Sequence, residues 1–187
     1  YFKYVNVPMP LRPLQQPYPA FWYGSSNTVG ATWAGERGMH FTANGPPARA
    51  KENIDAFRTA LAMRGGAAQP KAAFPGGTAV GLLRHIVIAD TDAEAKRIAK
   101  PALEYHAASL NWLRKRHGTT EFANRLNVHR GESFESWEEQ QMVIAGSPET
   151  VRAEIELQAT MLGLNYMLAY FFFGTMALAE ALRSLQL

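Results

Sequence analysis

Residues 20–42, AFWYGSSNTVGATWAGERGMHFT, constrain the fold more tightly than any other stretch. An apolar run from Ala20 to Tyr23 stops at Gly24 and is followed by Ser26, Asn27 and Thr28. A helix-compatible stretch then reaches Gly38, and a second apolar run opens at Met39. That order predicts strand, tight turn, helix, strand: one βαβ unit. The turn has the composition of an anion site. A glycine allows close backbone approach, the hydroxyls donate, and the free N–H groups at a helix start favour negative charge. Two readings of it stand side by side. Either Ser26 or Thr28 caps the helix, or the turn holds a phosphate.

The flanking chain continues the alternation. Residues 1–19 carry Pro8, Pro10, Pro13, Pro17 and Pro19, which predicts an extended lead-in. After Phe41, Asn44-Gly45-Pro46-Pro47 makes a loop, and a helix from about Ala48 has Ala50, Ile54, Phe57 and Leu61 on its apolar face until Gly65-Gly66. A Gly/Pro-rich connection from Gln69 to Thr78 leads to a buried strand over Ala79–Ala89, with Arg84 and His85 inside it, the histidine read as a structural group. Asp90 to Glu94 supplies a cap and an acidic first turn for a helix to Arg116, which Pro101 is expected to kink or split.

Residues 117–141 read as an irregular polar excursion. They hold His117, His129 and the cluster Glu132, Glu135, Glu138 and Glu139, without a metal-ligand spacing. Ser147-Pro148-Glu149 is a strong helix start, with Val151, Ile155 and Leu162 on the buried face. Tyr166 to Phe173 reads as a buried strand, and Met176 to Leu187 as a last helix. The expectation is four parallel strands, near 20–23, 39–42, 80–89 and 166–173, adjacent in that order with helices on one face. Periodicity alone leaves half of an eight-fold barrel and a small open α/β sheet both standing.

Composition excludes several classes. A chain of 187 residues, 47% hydrophobic and 19% charged, has the makeup of one globular domain or a large piece of one. The net charge of +3, with no basic run longer than Arg114-Lys115-Arg116, argues against nucleic acid. The absence of cysteine removes thiolate chemistry and fits a reducing cytoplasm. Ala159 to Ala179 is uncharged and long enough to span a bilayer, but Gly163, Asn165, Gly174 and Thr175 interrupt it, so no membrane span is expected. The start, Tyr1-Phe2-Lys3-Tyr4, has neither an initiator Met nor a signal-peptide pattern and reads as an internal beginning.

Four motifs carry a family resemblance. They are Pro13-Leu14-Gln15-Gln16-Pro17-Tyr18-Pro19 with Trp22-Tyr23-Gly24-Ser25-Ser26; the run Arg84-His85-Ile86-Val87-Ile88-Ala89-Asp90-Thr91-Asp92-Ala93-Glu94-Ala95; Gly146-Ser147-Pro148-Glu149-Thr150-Val151; and Asn165-Tyr166 with Phe173-Gly174. In this order the chain resembles the bacterial luciferase-like flavin-dependent monooxygenases. The resemblance implies an α/β fold, the carboxyl-terminal half of a (β/α)8 TIM barrel from about the fifth strand onward, with residues 1–187 as a single partial domain. It implies reduced flavin, FMN or alternatively a deazaflavin, for oxygen or hydride chemistry on a small organic substrate. It also implies that the flavin phosphate sits on Gly24, Ser25, Ser26, Asn27 and Thr28, where the family commonly has a second Ser in place of Asn27. The family's oxygen-activating and substrate-side residues lie mainly in the amino half, so the resemblance assigns no catalytic residue here. A non-catalytic half-barrel that binds flavin weakly is the other expectation. Either form exposes sheet edges and needs a partner, a second copy or an amino-terminal half-barrel.

Overall fold

The computed structural model describes residues 3–8, 14–15, 19–64, 77–117, 131 and 133–187. Much of the proline lead-in, the Gly65-Gly66 stop, most of the Gln69–Thr78 connection and residues 118–130 lie outside them. The described lead-in residues form neither helix nor strand. The elements run β1 (Trp22–Ser25), α1 (Thr28–Arg37), β2 (His40–Ala43), α2 (Pro47–Met63), β3 (Val80–Ile88) and α3 (Asp92–His117). They continue with α4 (Phe134–Glu139), β4 (Val143–Gly146), α5 (Pro148–Leu162), β5 (Tyr166–Tyr170) and α6 (Leu178–Gln186).

All strand pairs are parallel, as the βα alternation requires. β1 lies beside β2, β2 beside the first residues of β3, and β5 beside β3, which is the expected order. A fifth strand, β4, pairs with Val87 and its neighbours at the carboxyl end of β3. His85 pairs with Val143 on one side and Tyr170 on the other, so β4 and β5 occupy opposite edges of β3. The four residues of β4 end directly at the helix start of α5, and so short a run has no periodicity to announce a strand.

Alternation along β3 sorts the helices onto two faces. Leu82 packs with Phe41, Phe57 and Leu162, and Ile86 with Ile144 and Val151, which places α1, α2 and α5 on one face. Val87 packs with Ala95, Ala99 and Leu103, which places α3 on the other. The expectation of helices on one face therefore holds for α1, α2 and α5 and fails for α3 and α4. The physical cause is length. β3 has nine residues and β2 pairs with only Val80, Gly81 and Leu82, so its carboxyl half projects and needs cover on both sides.

Three further expectations are corrected. Of the two outcomes expected at Pro101, a kink or a split, the split does not occur, since α3 runs unbroken for 26 residues. Residues 134–139 are helical rather than irregular. Ser133 caps α4, Phe134 and Trp137 bury one side of it, and Glu135 and Glu138 meet Lys100 and Lys96 of α3. The glutamates thus sit opposite cations instead of repelling one another. The strand at 166–173 is shorter than expected and is not buried, with Tyr166 and Tyr170 38% and 42% exposed. Among the described residues it pairs with β3 alone, and no described strand pairs with its outer edge. Among the described residues no helix is long and apolar enough to cross a membrane.

Helices α1 and α2 meet at Gly35, where a Cβ would sit 2.4 Å from the Phe57 carbonyl oxygen and 2.8 Å from the Ala60 Cβ. Alanine would gain about 1 kcal/mol of helix propensity, but two backbones would have to part. Gly35→Ala is expected to lower stability by about 1–3 kcal/mol in urea unfolding. An unchanged or raised midpoint would mean that the two helices pack less closely.

Candidate functional site

The βαβ turn forms at the carboxyl end of β1. Its cap is neither Ser26 nor Thr28. Asn27 adopts extended backbone geometry, and its Oδ1 accepts from the Gly30 amide at 2.9 Å. Ser25 is buried beneath the turn. Its Oγ accepts from the Asn27 amide (3.2 Å) and donates to the Asn27 carbonyl (3.0 Å), locking the loop. The Asn27 carbonyl accepts from the Ala31 amide. Of the four amides that a helix start leaves without intrahelical partners, that of Asn27 is thus engaged by Ser25 Oγ and that of Gly30 by Asn27 Oδ1, while the Ala31 amide makes the first intrahelical bond. The Thr28 and Val29 amides remain at the helix end beside the exposed side chains of Ser26 and Thr28.

Two glycines divide the role expected of Gly24 alone. Gly24 lies within β1, and a Cβ there would make ordinary contact with Thr42 Cγ2 at 3.4 Å, facing the sheet rather than the turn. Gly30 is the residue the turn requires, since a Cβ there would sit 2.5 Å from Ser25 Oγ and 3.1 Å from the Tyr23 ring. Sequence reasoning missed Gly30 because it lies inside the helix. The pairing G-S-S-N-T-V-G, with the second glycine over the serine, was the available signal.

The charge pattern leaves this helix start open to an anion. Asp92 and Glu94, Glu135, Glu149 and Glu180 stand in the first turns of α3, α4, α5 and α6, whereas α1 and α2 have no acidic residue there, and α2 opens on Pro47, which has no amide to donate. A phosphate would meet two amides, two hydroxyls and the positive end of the helix dipole. The donor set fits a flavin phosphate.

The sheet face that carries Gly24, His40, Thr42 and Gly81 is concave. The Trp22 ring of β1 touches that of Tyr166 of β5, centroids 4.8 Å apart, although β2 and β3 lie between them. A flat sheet would set those strands about 14 Å apart. His40 lies beneath, 3% exposed, and its Nδ1 accepts from the Ala79 amide at 2.9 Å, so a neutral ring carries its proton on Nε2. Burial holds its pKa below the ordinary 6.5.

Farther along β3, His85 is enclosed by His106, Trp137, Tyr170 and Phe173, with ring centroids 4.8–5.2 Å away. Burial lowers the His106 pKa as well. Arg84 turns to the opposite face. Its Nε donates to Gln158 Oε1 at 2.8 Å and its Nη1 to the Leu83 carbonyl. Burial lowers its pKa to about 10, with Glu154 opposing the shift, so it stays charged at neutral pH. Ser147 caps α5, and its amide donates to Asp92 Oδ1 at 2.6 Å, which draws the Asp92 pKa down. Both residues hold the fold together away from the turn. Among the described residues no cluster of side chains is arranged to hold a metal ion.

The family model for luciferase-like monooxygenases matches residues 1–164. A Sinorhizobium fredii protein, uncharacterized protein y4wF, is 28% identical over 97% of this chain and 50% of its own length. Monooxygenase RslO1 from Streptomyces bottropensis superposes with a TM-score of 0.64 at 19% identity, covering 96% of this chain and 49% of that one. The oxygenating constituent of 3,6-diketocamphane monooxygenase from Pseudomonas putida, solved in complex with FMN, gives a TM-score of 0.55 at 19% identity, covering 80% and 41%. The chain thus spans about half the length of the relatives it matches. The likeness fixes the fold as part of a luciferase-like TIM barrel.

The buried neutral histidines set a pH dependence. The unfolded chain takes up a proton near 6.5, before folded His40 does, so this contribution is complete above 6.5 and is lost as pH falls through the lowered folded value. Carboxylates such as Asp92 and Glu94, already shifted downward, titrate below that window. Urea midpoints are expected to fall between pH 7 and pH 5. The fall should be smaller in His40→Asn, whose Oδ1 keeps an acceptor for the Ala79 amide. An equal fall in both proteins would remove His40 as the cause.

Proposed function

The chain belongs to the luciferase-like monooxygenase family, and we propose that it is the carboxyl half, a partial domain, of a cytoplasmic bacterial flavin-dependent oxidoreductase acting on a small organic substrate. The turn after β1 binds the flavin phosphate through the Thr28 and Val29 amides and the Ser26 and Thr28 hydroxyls. Ser25, Asn27 and Gly30 hold that geometry, and Gly24 keeps the adjoining sheet face open. FMN is the cofactor, with a deazaflavin as the alternative. When bound, reduced flavin supplies the electrons for oxygen or hydride chemistry. The observation that carries the reading is a helix start whose Thr28 and Val29 amides have no hydrogen-bond partner among the described residues and which has no acidic first turn, placed at the carboxyl end of a strand, where TIM barrels bind their ligands.

A specific surface favours keeping the second reading, a non-catalytic half that binds flavin weakly or serves in assembly. Leu178, Leu182 and Leu185 recur at i, i+4 and i+7 on α6 and are 62%, 50% and 61% exposed, close in sequence to strand β5. Such a stripe on a helix is a packing face. Its partner in both readings is an amino-terminal half-barrel or a second copy.

Fluorescence titration separates the phosphate reading from simple capping. Ser26→Ala/Thr28→Ala removes two hydroxyls and leaves the amides, so FMN affinity is expected to drop by about 1–3 kcal/mol in all. Riboflavin, which has no phosphate, should bind both proteins alike. Equal FMN affinity in the two proteins, with the fold intact, would leave the turn as a cap alone.

A further inference from the structure

A cavity of about 200 Å³ opens on the concave side of β3, beyond the end of β2. His85, His106, Leu110, Trp137, Met142 and Tyr170 line it. Nothing in the flavin-phosphate reading uses it. We propose that this cavity binds a small uncharged aromatic molecule of the phenol class, its ring against Trp137 and Tyr170 and its hydroxyl on the His106 imidazole.

Size, chemistry and placement each narrow the occupant. A cavity of about 150 Å³ accepts benzene, so this one takes a single substituted ring and excludes a tricyclic flavin. The wall is aromatic and aliphatic, which suits a π-faced ligand in edge and offset contacts. Two imidazoles, with centroids 5.1 Å apart, supply the polar end. A neutral imidazole carries one donor and one acceptor, the complement of a hydroxyl. No carboxylate lines the cavity among the described residues, so a cationic ligand would enter without a counter-ion, and Arg84 in its wall is engaged through Nε by Gln158 and through Nη1 by the Leu83 carbonyl.

The two histidines are not equivalent. His85 is 6% exposed and packed among four rings. His106 stands on the inner side of α3 and is half-buried, so it is the imidazole a ligand reaches from solvent. Leu110 lies one turn farther along α3, is 43% exposed, and forms the rim.

This site names the substrate class for the flavin-dependent reading and rests on that reading for its catalytic meaning, while the binding itself does not require flavin. Isothermal titration of the full protein with p-cresol and with toluene tests it. Leu110→Trp fills the rim from a partly exposed position that tolerates bulk. His106→Phe keeps a ring and removes the hydrogen bond. The wild type is expected to bind p-cresol at one site, with affinity falling at least about tenfold in Leu110→Trp. In His106→Phe the loss should be about tenfold for p-cresol, with toluene unchanged within about twofold. Absent or non-saturable p-cresol binding to the wild type, undiminished binding in Leu110→Trp, or undiminished p-cresol affinity in His106→Phe would each overturn the proposal. FMN titration of the same proteins keeps the two ideas apart. Intact FMN binding with no p-cresol site defeats this inference alone, and p-cresol binding without FMN binding defeats the flavin reading alone.

Discussion

The hydrogen-bonding edges of β3 are the constraint on which the structure depends. β3 holds β2 and β4 in succession along one edge and β5 along the other, and β1 reaches the sheet only through β2. Parallel strands need crossover connections, so the described helices that link two strands are placed by which edge of the sheet the next strand must reach. Asn165 seals the amino end of one crossover. Its Oδ1 accepts from the Val80 amide at 2.7 Å while its Nδ2 donates to the Thr78 carbonyl at 2.9 Å. Ser184 of α6 does the same at the other end, accepting from the Ile88 amide and donating to the Ile88 carbonyl.

The buried polar groups that join α5 to β3 are paired with one another. Gln158 is fully buried and joins Arg84 of β3 to Glu154 and the Gln141 carbonyl, so α5 and the segment before β4 share one hydrogen-bonded strut. Removing the glutamine would strand a buried guanidinium, and charged groups are costly to leave without partners. The consequence for function is positional. With β3 fixed by its strands and its strut, the turn after β1 and the cavity beside His85 lie toward the carboxyl ends of the strands, the turn at the end of β1 and the cavity on the concave face.

The sequence carried much of this. Strand-turn-helix-strand at 20–42 was legible because Gly24 and Gly38 punctuate it, and α5 was legible from Ser147-Pro148-Glu149. The motifs also carried the family. What escaped was set by tertiary contact. Pro101 stays inside a helix because Ala95, Ala99, Ala102 and Leu103 bury around it. α4 is too short to display a period, and packing of Phe134 and Trp137 together with the Lys96 and Lys100 ion pairs defines it. At the turn, composition pointed to the right loop but assigned its cap to a hydroxyl. The amide of Asn27 took that place because Ser25 is buried and held by the same loop. The His85 cavity had no signal at all, since His85 and His106 come together only when α3 folds onto the concave face.

The central claim is that the start of α1 is a phosphate anchor. Backbone amide resonances of the isotope-labelled protein, followed during addition of FMN and then of riboflavin, test it most directly. The account predicts that FMN shifts Ser26, Thr28 and Val29 strongly and that riboflavin leaves them in place. FMN-induced shifts that spare these three amides while moving another helix start, such as that of α2 at Ala48, would contradict it.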